Sequence, residues 1–202
     1  MTDQHITDIA ELEALYGAPA KMTVAKATSA LTPAYAAWIK RSRFCVLTTV
    51  GPEGTDGSPR GDDGPVVTIQ DDRTLLMPDW RGNNRIDSLR NIVADGRVSL
   101  MFMVPGSHNV MRVNGRAVVS VDERLKANFT DKGRAPRSVI VITIEAVYSQ
   151  CARALMRSRT WTSGDESVGL PTVGEMFAEI EAGFDGDKYD TDWAARATQT
   201  MW

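Results

Sequence analysis

The sequence predicts a mainly β protein in which an antiparallel sheet closes into a barrel and helices flank it. Three observations predict this class. About six strand-like segments follow one another between residues 44 and 148, joined mostly by short turns. A single helical pattern, at 83–94, falls between strands, so alternating βαβ units fit poorly. Helical spacing reappears at both ends of the chain. With 202 residues the chain is expected to form one domain. Its expected parts are a helical leader (1–43), a barrel core (44–149) and a helical C-terminal extension (150–202).

In the leader, Ile9, Leu12, Leu15 and Tyr16 recur at helical spacing before Gly17 and Pro19. A second helix opens with Thr32 as N-cap and Pro33 in its first turn, burying Tyr35, Trp38 and Ile39. FCVLTTV (44–50) is the first strand. The following fifteen residues, GPEGTDGSPRGDDGP (51–65), hold five glycines and three prolines and read as a long functional loop interrupting a hairpin. VVTIQ (66–70) is the expected return strand, Asp71-Asp72 the turn and TLLMP (74–78) the next strand. VSLMFMV (98–104) is apolar on both faces, as a central strand would be.

VMRVNGRAVVSV (110–121) alternates cleanly. Met111, Val113, Gly115, Ala117, Val119 and Val121 form its core face, which leaves Arg112, Asn114 and Arg116 in a row facing water, a ligand or another subunit. VIVITIEAVY (139–148) places Ile140, Ile142, Ile144, Ala146 and Tyr148 on one face. A short helix is expected within Gln150–Arg157. Thr172-Val173-Gly174-Glu175 reads as a capping box opening a helix through Met176, Phe177 and Ile180.

Charge and composition exclude several function classes. The net charge of −3 gives no overall attraction to nucleic acid. No apolar run approaches a membrane span, and the polar N-terminus lacks a secretory pattern, so a cytoplasmic location is expected. The separated pairs Cys45/Cys151 and His5/His108 make neither a disulfide framework nor a zinc site; no metal is expected. No GxSxG, GxGxxG, Walker loop or HExxH occurs. The distribution of charge says more. Of the 23 basic residues 17 are arginine, suited to bidentate contacts with phosphate or carboxylate. The stretch from Asp165 to Asp192 holds nine acids against Lys188 alone.

The most informative segment runs from Met77 to Leu89. A strand ends at Pro78, a polar turn follows, and a helix is expected to begin near Asn83 with Ile86, Leu89 and Ile92 or Val93 on its buried side. Free N–H groups at such a start attract an anion, and Arg81 and Arg85 would strengthen the site. The competing reading is an ordinary capped helix with two solvated arginines.

Here the sequence resembles the pyridoxamine 5'-phosphate oxidase-like, FMN-binding split-barrel family, and within it a branch of FMN-dependent enzymes. The resemblance rests on Ser58-Pro59-Arg60-Gly61-Asp62, on Pro78-Asp79 with Gly82-Asn83-Asn84-Arg85, and on Arg112-Val113-Asn114-Gly115. Ser88-Leu89-Arg90-Asn91, Val104-Pro105-Gly106 and the run Cys151–Ser158 add to it. It implies an antiparallel split β-barrel of FMN-binding type and a homodimer with FMN at the interface.

It also implies a cofactor-binding set of Arg60, Asn83, Asn84, Arg85 and Ser88, with Arg157 and Trp161 reaching the cofactor held mainly by the other subunit. For Trp161 an ordinary packed aromatic is the alternative. The implied activity is flavin reduction or oxidation of a small-molecule substrate, with no nucleic-acid or membrane partner. A non-catalytic flavin-binding or storage protein and a deazaflavin-dependent reductase stand as alternatives, and no catalytic residue is assigned. Val110 replaces the family's ring-contacting glutamine, Gln150 stands where the branch often has histidine, and the tail ending Thr200-Met201-Trp202 lacks the oxidases' Arg-x-His. Oxidation of pyridoxamine phosphate itself is therefore not expected.

Overall fold

The computed structural model describes residues 5–130 and 134–200; Met201 and Trp202 of the tail, and the first four residues of the polar N-terminus, lie outside them. In chain order the elements are α1 (Ile9–Tyr16), α2 (Lys21–Ala25), α3 (Pro33–Arg41), β1 (Phe44–Gly51), β2 (Gly54–Gly61), β3 (Thr68–Ile69), β4 (Thr74–Asp79), α4 (Asp87–Ala94), β5 (Arg97–Met103), β6 (Val110–Ser120), α5 (Glu123–Ala127), β7 (Ser138–Gln150), α6 (Arg153–Ser158), α7 (Val173–Ile180) and α8 (Gly186–Thr200).

The seven strands form one antiparallel sheet in the order β2-β1-β5-β6-β7-β4-β3. Four strands separate β2 from β4 in this order, yet Arg60 Nη1 on β2 lies 2.8 Å from the Asp79 carboxylate on β4. The sheet therefore curls round until its two sides meet through side chains, with no strand ladder between β2 and β4. This is a split barrel. Its interior is filled by Cys45, Leu47, Leu75, Met77, Leu100, Phe102, Val113, Ile140, Ile142 and Val147, with Ile39 of α3 packed against them.

The segment expected to be a loop, 51–65, contains β2. It pairs with β1 along its length, from Phe44↔Gly61 to Gly51↔Gly54, and so supplies the return strand that the sequence assigns to 66–70. As a sheet edge β2 needs only one ladder, which is why Pro59 and its glycines are tolerated there. Of 66–70 only Thr68–Ile69 pairs, with β4, while Val66 and Val67 pack into the core. The expected turn at Asp71-Asp72 is present: Gln70 N–H donates to Thr74 O, and Arg73 N–H donates to the Asp71 carboxylate. β5 is internal to the sheet as expected, but it buries only one face, and Met101 on the other is 39% exposed.

β6 keeps its predicted phase from Met111 to Ala117, with Met111, Val113, Gly115 and Ala117 buried, but Val121, expected on the same core face, lies past the strand's end and is 71% exposed. β7 does not. Gly115 pairs with Ile144 and Asn114 with Ala146, so Glu145 is an extra residue, a bulge that reverses the alternation. Val147 is fully buried in consequence, and Ala146 and Tyr148 leave the core face.

The helix ends follow local chemistry. Thr32 and Pro33 open α3, and Thr172 and Glu175 complete a reciprocal capping box at α7. Gly17 closes α1 with φ 71°, in the left-handed region. The apolar residues of α1 stay exposed within the chain, Leu12 at 44% and Leu15 at 68%. The expected helix within Gln150–Arg157 occupies Arg153–Ser158. Among the described residues no helix is long and apolar enough to cross a membrane, and no group of three or more His, Cys, Asp or Glu is placed to hold a metal ion.

Candidate functional site

A cleft of about 1080 Å³ opens along the split of the barrel, between β2, the end of β4 and the start of α4. Its wall includes Arg60, Asp79, Trp80, the whole turn from Arg81 to Arg85, Ser88 and Arg137. Arg60, Asn83, Asn84, Arg85 and Ser88 therefore share one cavity although they span 29 positions of sequence. Arg157 and Trp161 lie outside that wall. Trp161 Nε1–H donates to the Ser107 carbonyl at 2.7 Å, tying the segment after α6 to the β5–β6 turn.

The turn is not the helix start that the sequence predicts. Asn84 and Ile86 adopt φ 62° and 53°, which breaks the helical path, and α4 begins at Asp87. A left-handed β-branched residue such as Ile86 is strained. It is also 47% exposed, and Val93 is 77% exposed, whereas Ile92 carries the helix's buried face. Asn83 stabilises the turn from within: its carboxamide oxygen accepts the Arg85 N–H at 3.1 Å, an Asx turn. Asn84 offers its own oxygen to Arg137 Nη1 at 2.9 Å.

Carboxylates occupy several of the donors that a phosphate would use. The Ser88 hydroxyl, almost fully buried, donates to Asp56 at 2.7 Å. Arg85 Nε donates to Asp87 at 2.8 Å, and this mutual attraction raises the arginine's pKa further. Trp80 Nε1–H donates to Asp62 at 2.9 Å. Arg60 pairs with Asp79 through Nη1, but its Nε is buried without an acceptor among the described residues. Arg81 and Arg137 have no carboxylate within ion-pair distance among the described residues, which makes them the uncompensated cations of the wall.

Beneath Arg60 lies Cys45, its partner across the β1–β2 ladder. Burial pushes the Cys45 thiol up from 9.0 to about 12, more than the nearby Arg60 charge lowers it. At neutral pH it is a neutral packing group, unsuited to act as a nucleophile.

The sequence reading missed Arg137 as a site residue. Its signal was faint: a lone arginine after Pro136 at the start of a strand. Only the antiparallel register Asp79↔Ser138 carries it to the end of β4, where its N–H donates to Asp79 O at 3.3 Å. Arg112, Asn114 and Arg116 do share one face of β6 but lie outside the cleft. Arg112 lies over the Tyr148 ring, Asn114 accepts from the Ser99 hydroxyl, and Arg116 donates to Asp95 O.

A family model described as pyridoxamine 5'-phosphate oxidase matches residues 31–151. Among solved structures, HupZ of group A Streptococcus superposes with a TM-score of 0.50 at 18% identity, covering 59% of this chain and 93% of its own. A protein described as a candidate pyridoxamine 5'-phosphate oxidase from Lactobacillus delbrueckii gives 0.48 at 24% identity, covering 60% and 95%. An FMN-binding protein from Syntrophomonas wolfei gives 0.42 at 15% identity, covering 57% and 80%. No curated protein matches. The matched span runs from just before α3 to just past β7 and contains every residue of the cleft wall, and on that match the chain belongs to the pyridoxamine 5'-phosphate oxidase family.

Proposed function

We propose that this chain is an FMN-dependent oxidoreductase of the flavin reductase or oxidase type, acting on a small molecule as a homodimer. The observation that carries the reading is the cleft at the barrel split, where, among the described residues, a buried guanidinium nitrogen of Arg60 lacks an acceptor and Arg81 and Arg137 lack carboxylates within ion-pair distance. A phosphate is the chemistry such a wall lacks.

The residues fit that group in a particular way. Arg81, Arg137 and the Asn84 carboxamide are the groups best placed to hold the phosphate, with Asn83 keeping the turn in shape. Arg85 and Ser88 contribute once they turn from Asp87 and Asp56, and Arg60 approaches from β2. Arg157 and Trp161 act on the cleft of the second copy. When bound, FMN supplies the hydride or electron transfer, and the protein supplies position and electrostatics.

Purified protein is expected to be yellow, to release flavin on denaturation and to gain thermal stability from added FMN. A colourless protein that FMN does not stabilise would sink the reading, and stabilisation by a deazaflavin instead would replace the cofactor. Oxidation of NADH or NADPH with a screened acceptor separates an enzyme from a flavin-binding protein.

A further inference from the structure

The terminal hairpin α7–α8 is built as a unit of its own. Phe177, Phe184 and Tyr189 form an aromatic cluster with ring centroids 5.2–5.7 Å apart. Gly174 and Gly186 let the two backbones touch, since a Cβ on either would collide with the other's carbonyl, and Gly174 N–H donates to the Asp190 carboxylate at 2.9 Å. The hairpin packs on itself and makes no extensive contact with the sheet of its own chain.

It nevertheless carries an apolar stripe. Val173, Met176, Phe177 and Ile180 recur at i, i+3, i+4 and i+7 on one face of α7, and all four are exposed, Ile180 at 82%. Trp193 on α8 is exposed as well. Acids edge this stripe: Glu175, Glu179, Glu181 and Asp187 are all exposed.

The sheet shows the complementary surface. Val46, Met101, Arg112 and Tyr148 stand in register across β1, β5, β6 and β7 on the outward face, with exposed Phe44 at its margin. In this apolar band Arg112 is half-buried and lies over Tyr148, its Nε has no acceptor, and no carboxylate pairs with it among the described residues. An apolar band holding one uncompensated cation matches an apolar stripe edged with acids. The chain between Ser158 and Val173 has no regular secondary structure. Fully extended, it spans on the order of 45 Å, enough to reach a neighbouring molecule.

We infer that the α7–α8 hairpin of one copy docks across the β1-β5-β6-β7 outer band of a second copy, with one of its carboxylates meeting Arg112. This rests on the homodimer proposed above and assigns the arm that holds it together.

The test places a photo-crosslinking amino acid at Ile180 of the full chain. Irradiation is expected to give a covalent product of twice the chain mass, with α7 joined to peptides of β1, β5, β6 or β7. Products of single mass, doubled products joined elsewhere, or no crosslink would each overturn the inference. In a second variant, Ile180→Asp, the dimer is expected to dissociate at a protein concentration at least tenfold higher, with an unchanged circular-dichroism spectrum. A dimer of unchanged strength would also overturn it. Such a dimer without α7-to-sheet links leaves the homodimer reading standing; a monomeric parent chain removes both.

Discussion

Cys45 and Cys151 are chemically identical and sit in opposite environments, one fully buried and one exposed. Iodoacetamide at about pH 8 is expected to label Cys151 alone in the folded protein and both thiols after denaturation, as counted by mass spectrometry. Labelling of Cys45 in the folded state would contradict its burial. The raised thiol pKa also fixes a sign. Between 9.0 and about 12 the unfolded chain loses a proton that the folded chain keeps, so stability falls as pH rises through that window. In the cleft, Arg137→Ala is expected to weaken FMN binding by about 1.5–3 kcal/mol, measured by titration calorimetry. Arg85→Ala should act in the same direction but less, because Arg85 must leave Asp87 to reach a phosphate. Equal affinity in Arg137→Ala and the parent would remove that residue from the site. The cleft wall does hold Arg60, Asn83 and Asn84, which the family resemblance singled out; of their contacts only the Asx turn at Asn83 was legible, because it is local. The engagement of Ser88 with Asp56 was not, because the partner lies 32 positions away on a strand that reads as a loop.

At the scale of elements, the bulge at Glu145 depends on Gly115, whose missing side chain lets the Thr143 carbonyl come close. Gly115→Ala is expected to destabilise the fold by about 1–3 kcal/mol in urea unfolding, because backbone atoms cannot move aside as a flexible side chain would. A stability equal to the parent would mean that the bulge can relax. Thr172→Ala removes half of a complete capping box and should cost the hairpin about 1 kcal/mol. Because α7 and α8 pack on one another, hydrogen exchange should speed up within 173–200 and stay unchanged in the barrel. The strands with strong alternation, β1, β6 and the first half of β7, were readable from their side chains. β2 was hidden because its pairing is a backbone property: in GTDGSPRG only Thr55 favours a strand, yet the segment is held by the ladder of β1.

For the whole molecule, a homodimer predicts a melting temperature that rises with protein concentration, since association stabilises only the folded state. A concentration-independent melting curve, with a single-chain mass in light scattering, would exclude it. The apolar residues left exposed on α1, α7 and α8 make the same point at the level of the chain: helical periodicity predicts that a face is buried, but not against which molecule. The sequence by itself determined the antiparallel β class, the helical ends, the caps of α3 and α7 and the position of the arginine-bearing turn. All of these follow from contacts only a few residues apart. Only the tertiary structure decided that β2 closes against β4 through Arg60 and Asp79, that Arg137 joins the cleft, and that Ser88 faces a carboxylate. Those pairings are set by the curl of the sheet and its strand register, which bring together residues that no local pattern connects.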